Sequence, residues 1–295
     1  MKFDVILTNP PFQDRAKRGR TPHKLWIDFT RYSFERLLAE GGTLCQVSPS
    51  SFQSPSNRIL DIMKKHDTQW IHLDTASHFE GVGSSFADYA IRKSLNPHDG
   101  TVIVKGGMTF QVALNEDVMY LPNDLCPEAL EVHRKVIFSP VPKLSVEKDY
   151  VTCHNILLRR SNTLSKEQTP SHVFPVLHTN SQTWWSSLRQ EWAGDAKVMW
   201  SRSGYTLPFF DPGRLGGTDM VYFVRVPDEE AGRRLASTLN LKLFRYIFRT
   251  AKWSGFGNER VFAALPQLPL DRPLTDLDLY DLYGLTAEEV SYVER

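Results

Sequence analysis

An apolar run is followed by two consecutive prolines in the stretch Phe3-Asp4-Val5-Ile6-Leu7-Thr8-Asn9-Pro10-Pro11-Phe12. The apolar run predicts a β-strand, and the prolines end it because neither has an N–H group to donate to a sheet. Asn9 precedes a proline, which confines it to an extended or turn conformation. The sequence therefore predicts a rigid turn at the carboxyl end of a strand, where open α/β sheets place their ligands.

This turn suits the methylation of an exocyclic amine. The amine nitrogen of adenine is a poor nucleophile because its lone pair is delocalised into the ring. The Asn9 side-chain oxygen and the Pro10 carbonyl could each accept one N–H of that amine, which directs the lone pair towards a methyl donor. Phe12 would stack on the base after it flips out of a duplex. Asn-Pro-Pro turns also occur as plain loops, and that alternative stays open.

The segment Asn9-Pro10-Pro11-Phe12 after an apolar strand resembles the catalytic motif of the amino-directed (N6-adenine) DNA methyltransferases. The resemblance implies an α/β fold, a partial Rossmann-like class I methyltransferase sheet over residues 1–144. It also implies S-adenosylmethionine as cofactor and double-stranded DNA as partner. Asn9, Pro10, Pro11 and Phe12 are then the catalytic residues.

The chain after the turn predicts alternating elements. The spacing of apolar residues predicts a helix over 23–40 that ends at Gly41-Gly42, a strand over 43–47, a helix over 55–66, and strands over 70–73 and 101–104. Residues 78–93 resemble the later part of the same catalytic domain, where an aromatic residue supplies the second face of the base pocket. Tyr89 or Phe86 could fill that role, although both also fit a core position.

The second half differs in composition, with many tryptophans and interleaved arginines after residue 145. We interpret residues 145–270 as a mixed α+β target-recognition domain similar to that of the Eco57I-like branch of the family, with Lys252, Trp253 and Arg202 as candidate DNA contacts. The alternative is an ordinary second domain with core tryptophans. A single long helix is predicted from Asp228 to Thr250. Residues 271–295 form an acidic tail, with a capping box at Thr286.

The composition limits the classes of protein and partner that fit this sequence. The net charge is only +1, but seven acidic residues and two arginines fall in 271–295, so the first 270 residues carry a modest positive excess that permits a basic groove. The three cysteines, Cys45, Cys126 and Cys153, are widely separated, which fits reduced thiols and a cytoplasmic protein. No cysteine or histidine cluster has metal-ligand spacing, and no apolar run reaches membrane-spanning length.

The resemblance also calls for a glycine-rich turn that cradles S-adenosylmethionine. The sequence Phe210-Asp211-Pro212-Gly213-Arg214-Leu215-Gly216-Gly217-Thr218 is superficially similar. We treat it as coincidence because residues 220–226 read as a strand where a helix is required. The cofactor site is therefore expected largely outside this sequence. The open explanations are a second chain that supplies the cofactor half, a truncated or degenerate relative, and a start codon assigned too late.

Three functions follow from this sequence. The first is a DNA adenine-N6 methyltransferase, with a partner chain for the cofactor half. The second is a non-catalytic DNA-recognition protein derived from such an enzyme. The third is a protein or RNA amine methyltransferase, since glutamine methyltransferases also use an Asn-Pro-Pro turn. An isolated half-sheet would expose its first strand, so we expect something to cover that strand.

Overall fold

The computed structural model divides the chain into two compact units, Met1–Arg134 and Lys135–Arg295. The functional division expected near residue 144 and the separate tail expected over 271–295 stay predictions beside these two units. The structure describes residues 2–14, 24–54, 58–75, 85–94, 100–149, 163–179, 183–204, 206–252 and 259–295.

The first unit is an α/β structure built on one six-stranded sheet. The strand order across this sheet is β1-β2-β4-β3-β5-β6. The elements in chain order are β1 (Phe3–Thr8), α1 (Leu25–Tyr32), a π-helical turn (Ser33–Leu37), β2 (Leu38–Pro49), a 3-10 turn (Ser50–Gln53), α2 (Ile59–Lys65), β3 (Asp67–His72), β4 (Phe86–Arg92), β5 (Thr101–Lys105), β6 (Met108–Val112) and α3 (Pro127–His133). A second π-helical turn (Arg134–Phe138) begins at the last residue of this unit and continues into the second.

The sheet mixes parallel and antiparallel pairing. β1 is parallel to β2, and β3 is parallel to β5, whereas β4 is antiparallel to both β2 and β3. The strands β1, β2, β3 and β5 therefore run in one direction, and their carboxyl ends share one edge of the sheet. The predicted α/β class is confirmed, and the Asn9 turn lies at the edge where such sheets place ligands.

Two boundaries in this unit differ from the prediction. The helix predicted over 23–40 ends at Leu37, because residues 38–42 pair in the sheet as the start of β2. The Gly41 N–H donates to the Lys93 carbonyl at 2.7 Å, and the Lys93 N–H donates to the Gly42 carbonyl at 2.8 Å. A Cβ atom on Gly42 would lie 2.9 Å from the Asp4 carbonyl oxygen, so glycine permits this close pairing with β1. In addition, the strand predicted over 101–104 is followed by a further strand, β6, which was not predicted.

The second unit combines helices with two small sheets, of order β11-β10-β13 and β12-β8-β9-β7. This agrees with the mixed α+β character predicted for the second half. Its elements are β7 (Leu164–Ser165), β8 (Phe174–Leu177), β9 (Thr183–Ser186), a 3-10 turn (Glu191–Gly194), β10 (Lys197–Ser201), β11 (Phe209–Asp211), β12 (Gly216–Gly217), β13 (Val221–Arg225), α4 (Glu229–Leu239), α5 (Lys242–Thr250), α6 (Glu259–Ala263), α7 (Asp276–Leu282) and α8 (Ala287–Val293). None of the helices in the described ranges has the length and apolar character needed to cross a membrane.

The helix predicted from Asp228 to Thr250 is two helices. Asp228 caps the first by accepting a hydrogen bond from the Ala231 N–H at 2.8 Å, as its position suggested. The helix ends where the Asn240 side chain donates to the Ala236 carbonyl at 2.7 Å. A second helix then begins at Lys242, whose N–H donates to Asp276 at 2.7 Å. Side-chain hydrogen bonds on both sides of the break, one local and one to a distant residue, thus interrupt a continuous apolar pattern. The capping box at Thr286 is confirmed.

A buried ion pair joins β10 to β11 in the second unit. The Lys197 ammonium lies 2.7 Å from the Asp211 carboxylate, and their side chains are 0% and 3% exposed. Lys197 also donates to the carbonyls of Ala193 and Asp195, while Asp211 accepts backbone N–H groups from residues 213–215. Burial lowers the pKa of Lys197, and the hydrogen bond to Asp211 opposes that shift. The pair is thus fully hydrogen-bonded, as a buried charge requires.

Asp211→Ala is expected to lower the free energy of unfolding by about 3–5 kcal/mol, because the Lys197 ammonium stays buried without its partner. Urea denaturation followed by circular dichroism measures this loss. Arg233→Gln is the matched control: it removes an exposed ion pair with Glu229 and should cost less than about 1 kcal/mol. Equal losses in the two variants would contradict the structural role of the buried pair.

Candidate active site

The predicted turn follows β1 directly. β1 pairs with β2 from Val5 opposite Thr43 to Thr8 opposite Gln46, and it ends at Thr8. Pro10 is buried, whereas Asn9 and Pro11 on either side of it are exposed. The Asn9 side chain makes no hydrogen bond to another described residue. The turn is therefore fixed at Pro10 while it presents an unengaged amide group to solvent.

Phe12 lies against Phe86 at the same edge of the sheet. Their ring centroids are 5.1 Å apart, with an interplanar angle of 31°. Phe86 is the first residue of β4 and pairs with Pro49 at the end of β2, so the antiparallel strand begins where β1 and β2 end. Phe86 is buried and Phe12 is half-buried. Phe86 therefore supports one side of the Phe12 ring and leaves part of that ring accessible.

Tyr89, the other candidate for the second face of a base pocket, lies in the core. Its side chain is fully buried, and its hydroxyl accepts a hydrogen bond from the Gln46 side-chain amide at 3.0 Å. Burial raises the pKa of Tyr89 to about 12. Because it lies inside the sheet's packing, Tyr89 offers no ring face to a ligand, and it takes the core position that was the alternative for it. Phe86 is the candidate that contacts Phe12.

The Gln46 side chain also connects helix α1 to the sheet. Its Nε2 donates to the Thr30 hydroxyl at 2.6 Å, and Thr30 in turn donates to the Trp26 carbonyl at 2.7 Å. Gln46 and Thr8 are paired neighbours on adjacent strands. Helix α1 is thus tied by buried hydrogen bonds to β2, the strand next to β1.

A polar cluster at this edge was missed by the sequence interpretation. His72, the last residue of β3, places Nδ1 3.2 Å from the Asp88 carboxylate, and the Thr75 hydroxyl donates to the same carboxylate. Asp88 pairs with Val47 and with His72 across the sheet. The signal available in the sequence was the position of these polar residues at strand ends.

Among the described residues, no group of histidine, cysteine and acidic side chains could hold a metal ion.

The candidate DNA contacts of the second unit are placed as follows. Lys252 is exposed, and its ammonium donates to the Ser203 carbonyl at 2.9 Å. Arg202, next to Ser203 in sequence, is half-buried, and its backbone N–H donates to the Met220 carbonyl at 2.8 Å. Trp253 lies outside the described residues. Arg202 precedes Ser203 in sequence, and Lys252 donates a hydrogen bond to Ser203. Two of the three candidates therefore lie in one region.

The glycine-containing stretch 210–218 does not form a cofactor cradle. β11 ends within it at Asp211, and the strand β13 follows it, where a cradle needs a helix. The Asp211 carboxylate is taken by Lys197 and by the backbone of the next residues. A Cβ atom on Gly213 would lie 2.3 Å from the Gly194 carbonyl oxygen, so this glycine serves a close contact between chain segments. These residues do not fit S-adenosylmethionine.

β1 forms one end of the six-stranded sheet and exposes apolar side chains. Within the described residues it pairs with β2 alone. Phe3, Val5 and Leu7 are 42%, 65% and 83% exposed. Because alternate residues of a strand point to the same face, these three form one apolar row beside an unpaired backbone edge. This is the exposed first strand that the sequence led us to expect.

No family model matches this sequence, and no curated protein matches it. Solved structures of restriction–modification proteins are similar to it at low identity. The Type IIL enzyme MmeI in complex with DNA is 10% identical over 98% of this chain and 53% of its own, with a TM-score of 0.45. The Type ISP enzyme LlaBIII bound to DNA is 9% identical over 98% and 29%, with a TM-score of 0.43.

The M protein of the Type I restriction enzyme EcoKI is 18% identical over 35% of this chain and 25% of its own, with a TM-score of 0.28. The chain thus spans between a quarter and about half of the length of these three proteins.

Tyr89→Phe is expected to lower the free energy of unfolding by about 0.5–1.5 kcal/mol, because the Gln46 amide loses an acceptor while the ring stays in the core. DNA binding should be unchanged. Chemical denaturation and a DNA titration measure the two effects, with Tyr32→Phe, an exposed tyrosine, as the control that changes neither. Weaker DNA binding at unchanged stability would show instead that the Tyr89 hydroxyl meets the substrate.

Proposed function

We propose that this chain is the catalytic and recognition part of a site-specific DNA methyltransferase that acts on the N6 amine of adenine. The observation that carries the proposal is the turn Asn9–Phe12. It presents an exposed amide and a half-exposed aromatic ring at the carboxyl edge of the sheet.

Two acceptors at the turn would orient the amine. The Asn9 Oδ1 and the Pro10 carbonyl oxygen each accept one N–H of the adenine amino group, so the nitrogen lone pair points away from both. Neither acceptor needs to remove a proton before methyl transfer, because a neutral amine is already the nucleophile. The methylated nitrogen then carries a positive charge and releases one proton to solvent. Fixing these acceptors on a diproline turn lowers the reorganisation needed during reaction. Asn9 is suited to this role because nothing else among the described residues engages its side chain.

Phe12 would hold the flipped base. Base–aromatic stacking contributes about 1–3 kcal/mol per base, which helps to offset the loss of stacking when a base leaves the duplex. Phe86 packs against Phe12 with a centroid distance of 5.1 Å, so the Phe12 ring does not have to be ordered by the base itself. The two rings therefore act as one support beside the Asn9 amide.

S-adenosylmethionine supplies an electrophilic methyl group when it is bound. The described residues do not fit its binding, because the stretch 210–218 is engaged in the second unit's own packing. We propose that the cofactor is held by a segment or a second chain that pairs along β1. The row formed by Phe3, Val5 and Leu7 and the unpaired edge beside it support this placement, since a strand added parallel to β1 would end next to the Asn9 turn.

The second unit is proposed to contact double-stranded DNA. The first 270 residues carry an excess of positive charge, and phosphate contacts by arginine and lysine provide most of the sequence-independent affinity for DNA. Lys252 and Arg202 are the candidates that the structure describes; Lys252 donates to the Ser203 carbonyl, and Arg202 precedes Ser203 in sequence. Their role is positioning on the backbone of the duplex, which by itself carries no sequence specificity.

Asn9→Ala is expected to reduce methyl transfer by about 100-fold or more, because the amine loses one of its two oriented acceptors. The chain is expressed, with and without the genes beside its own, in a host that lacks adenine methylation. Mass spectrometry of host DNA then measures N6-methyladenine. Gln13→Ala, an exposed neighbour on the same segment, is the control and should retain full activity.

The wild-type chain should produce N6-methyladenine only when the cofactor-holding partner is present, and the purified Asn9→Ala protein should bind DNA within twofold of wild type. Full methylation by Asn9→Ala would contradict the assignment of Asn9. DNA binding without methylation in any combination would favour the non-catalytic recognition protein. Methylation of protein or RNA in a substrate competition would favour the third function.

Leu7→Glu is expected to leave the fold intact and to abolish complementation by the partner. Leu7 is 83% exposed, so a charge there costs the isolated chain little, but it would be buried when a strand pairs along β1. Co-purification and methylation measure the effect. Met108→Glu, at a 61% exposed position on the opposite end strand β6, is the matched control.

Complementation that survives Leu7→Glu, or that fails equally in Met108→Glu, would contradict the placement of the partner along β1. Thermal unfolding of both variants checks that neither substitution acts by unfolding the first unit.

A further inference from the structure

A cavity of about 280 Å³ lies within the second unit and shares no residue with the Asn9 turn. Its aromatic lining consists of Trp200 on β10, Phe248 on α5 and Phe262 on α6. Phe262 meets Trp200 edge-on at 5.6 Å and Phe248 edge-on at 5.5 Å. Trp200 and Phe262 are buried and Phe248 is half-buried, so the Phe248 ring is the one that a ligand can reach.

Three cations surround this aromatic lining. Arg245 and Arg249 are exposed on α5, one turn apart, which separates them by about 6 Å along the helix axis. Lys252 follows the helix and is held by its hydrogen bond to the Ser203 carbonyl. Neither arginine forms an ion pair with a described residue, and none of the described lining residues is acidic. The rim is therefore suited to an anion, and the two arginine side chains are available to bind it.

Two polar groups of the lining have no hydrogen-bond partner among the described residues. They are the indole N–H of Trp200 and the hydroxyl of Thr206, and both atoms are buried. A buried polar group without a partner is unfavourable, and native structures seldom leave one unexplained. A ligand with polar atoms around a flat ring would give these two groups partners after a small shift of the lining that exposes them.

We propose that this cavity binds one unpaired nucleotide of a single DNA strand. The base lies against Phe248 with its polar edge towards Trp200 and Thr206, and the flanking phosphates contact Arg245 and Arg249. The volume lies just below the range for sites of drug-sized ligands, about 300–1,000 Å³, which fits a single base. Aromatic faces beside cations are the general means of holding single strands. The site goes beyond the proposed function, because it requires neither Asn9 nor a methyl donor.

The test measures binding of the full chain to a fluorescent single strand of about 12 nucleotides and to a strand of equal length whose bases are replaced by abasic sites. Phe248→Leu keeps apolar packing but removes the ring face, so it should weaken binding of the base-containing strand by about fivefold or more and leave the abasic strand unchanged. Phe248→Tyr keeps the ring and should bind within twofold of wild type.

Arg245→Gln and Arg249→Gln should each weaken binding of both strands and lower the slope of affinity against salt by about one. Arg233→Gln is the matched control. It removes the same charge from an exposed position on α4, and binding should stay within twofold of wild type.

The inference is overturned if wild type binds both strands equally, if Phe248→Leu binds like wild type, or if the arginine variants behave like Arg233→Gln. Circular dichroism and melting temperature establish that each variant is folded. Because the assay contains no cofactor and reads only binding, its failure leaves the Asn9 proposal standing. Equally, an absence of methylation would leave this nucleotide site standing.

Discussion

The inability of two consecutive prolines to extend a sheet determines the candidate site. β1 pairs with β2 as far as Thr8, and the chain must then turn at a fixed place because Pro10 and Pro11 have no N–H to donate. That turn buries Pro10, exposes Asn9 and places Phe12 against Phe86. If β1 paired with β2 in another register, the same sequence would present different side chains at this edge.

The sequence predicted this region well because its signals are local. An apolar run, two prolines and a following helix specify a strand, a turn and a direction with little help from distant residues. The predicted element boundaries were wrong where hydrogen bonds to residues far away in the sequence determine the local structure. Residues 38–42 look helical by themselves, but hydrogen bonds between Gly41, Gly42 and Lys93 draw them into β2. The break between α4 and α5 depends likewise on distant partners. The Asn240 side chain also donates to the Pro208 carbonyl, and Asp276, which accepts from the Lys242 N–H, lies 34 residues beyond it.

The candidate site was only partly predictable for the same reason. Phe86 and Tyr89 lie on one strand, three residues apart, and the sequence could not tell which would line a pocket. Strand alternation places them on opposite faces, and Gln46 draws Tyr89 into the core. The cavity beside Phe248 was not predicted, because its lining comes from segments that periodicity treats separately. The cavity beside Phe248 and the Asn9 turn are chemically similar, because each combines an aromatic face with polar groups that could bind a planar ligand.

The most direct test of the central claim is a crystal structure of the complete complex with a duplex that contains its methylation site. The account predicts that the target adenine is extruded, that its amino nitrogen lies within about 3.2 Å of the Asn9 Oδ1 and the Pro10 carbonyl oxygen, and that its ring stacks on Phe12. A duplex with every adenine stacked and paired, or an extruded base bound away from the turn, would contradict it.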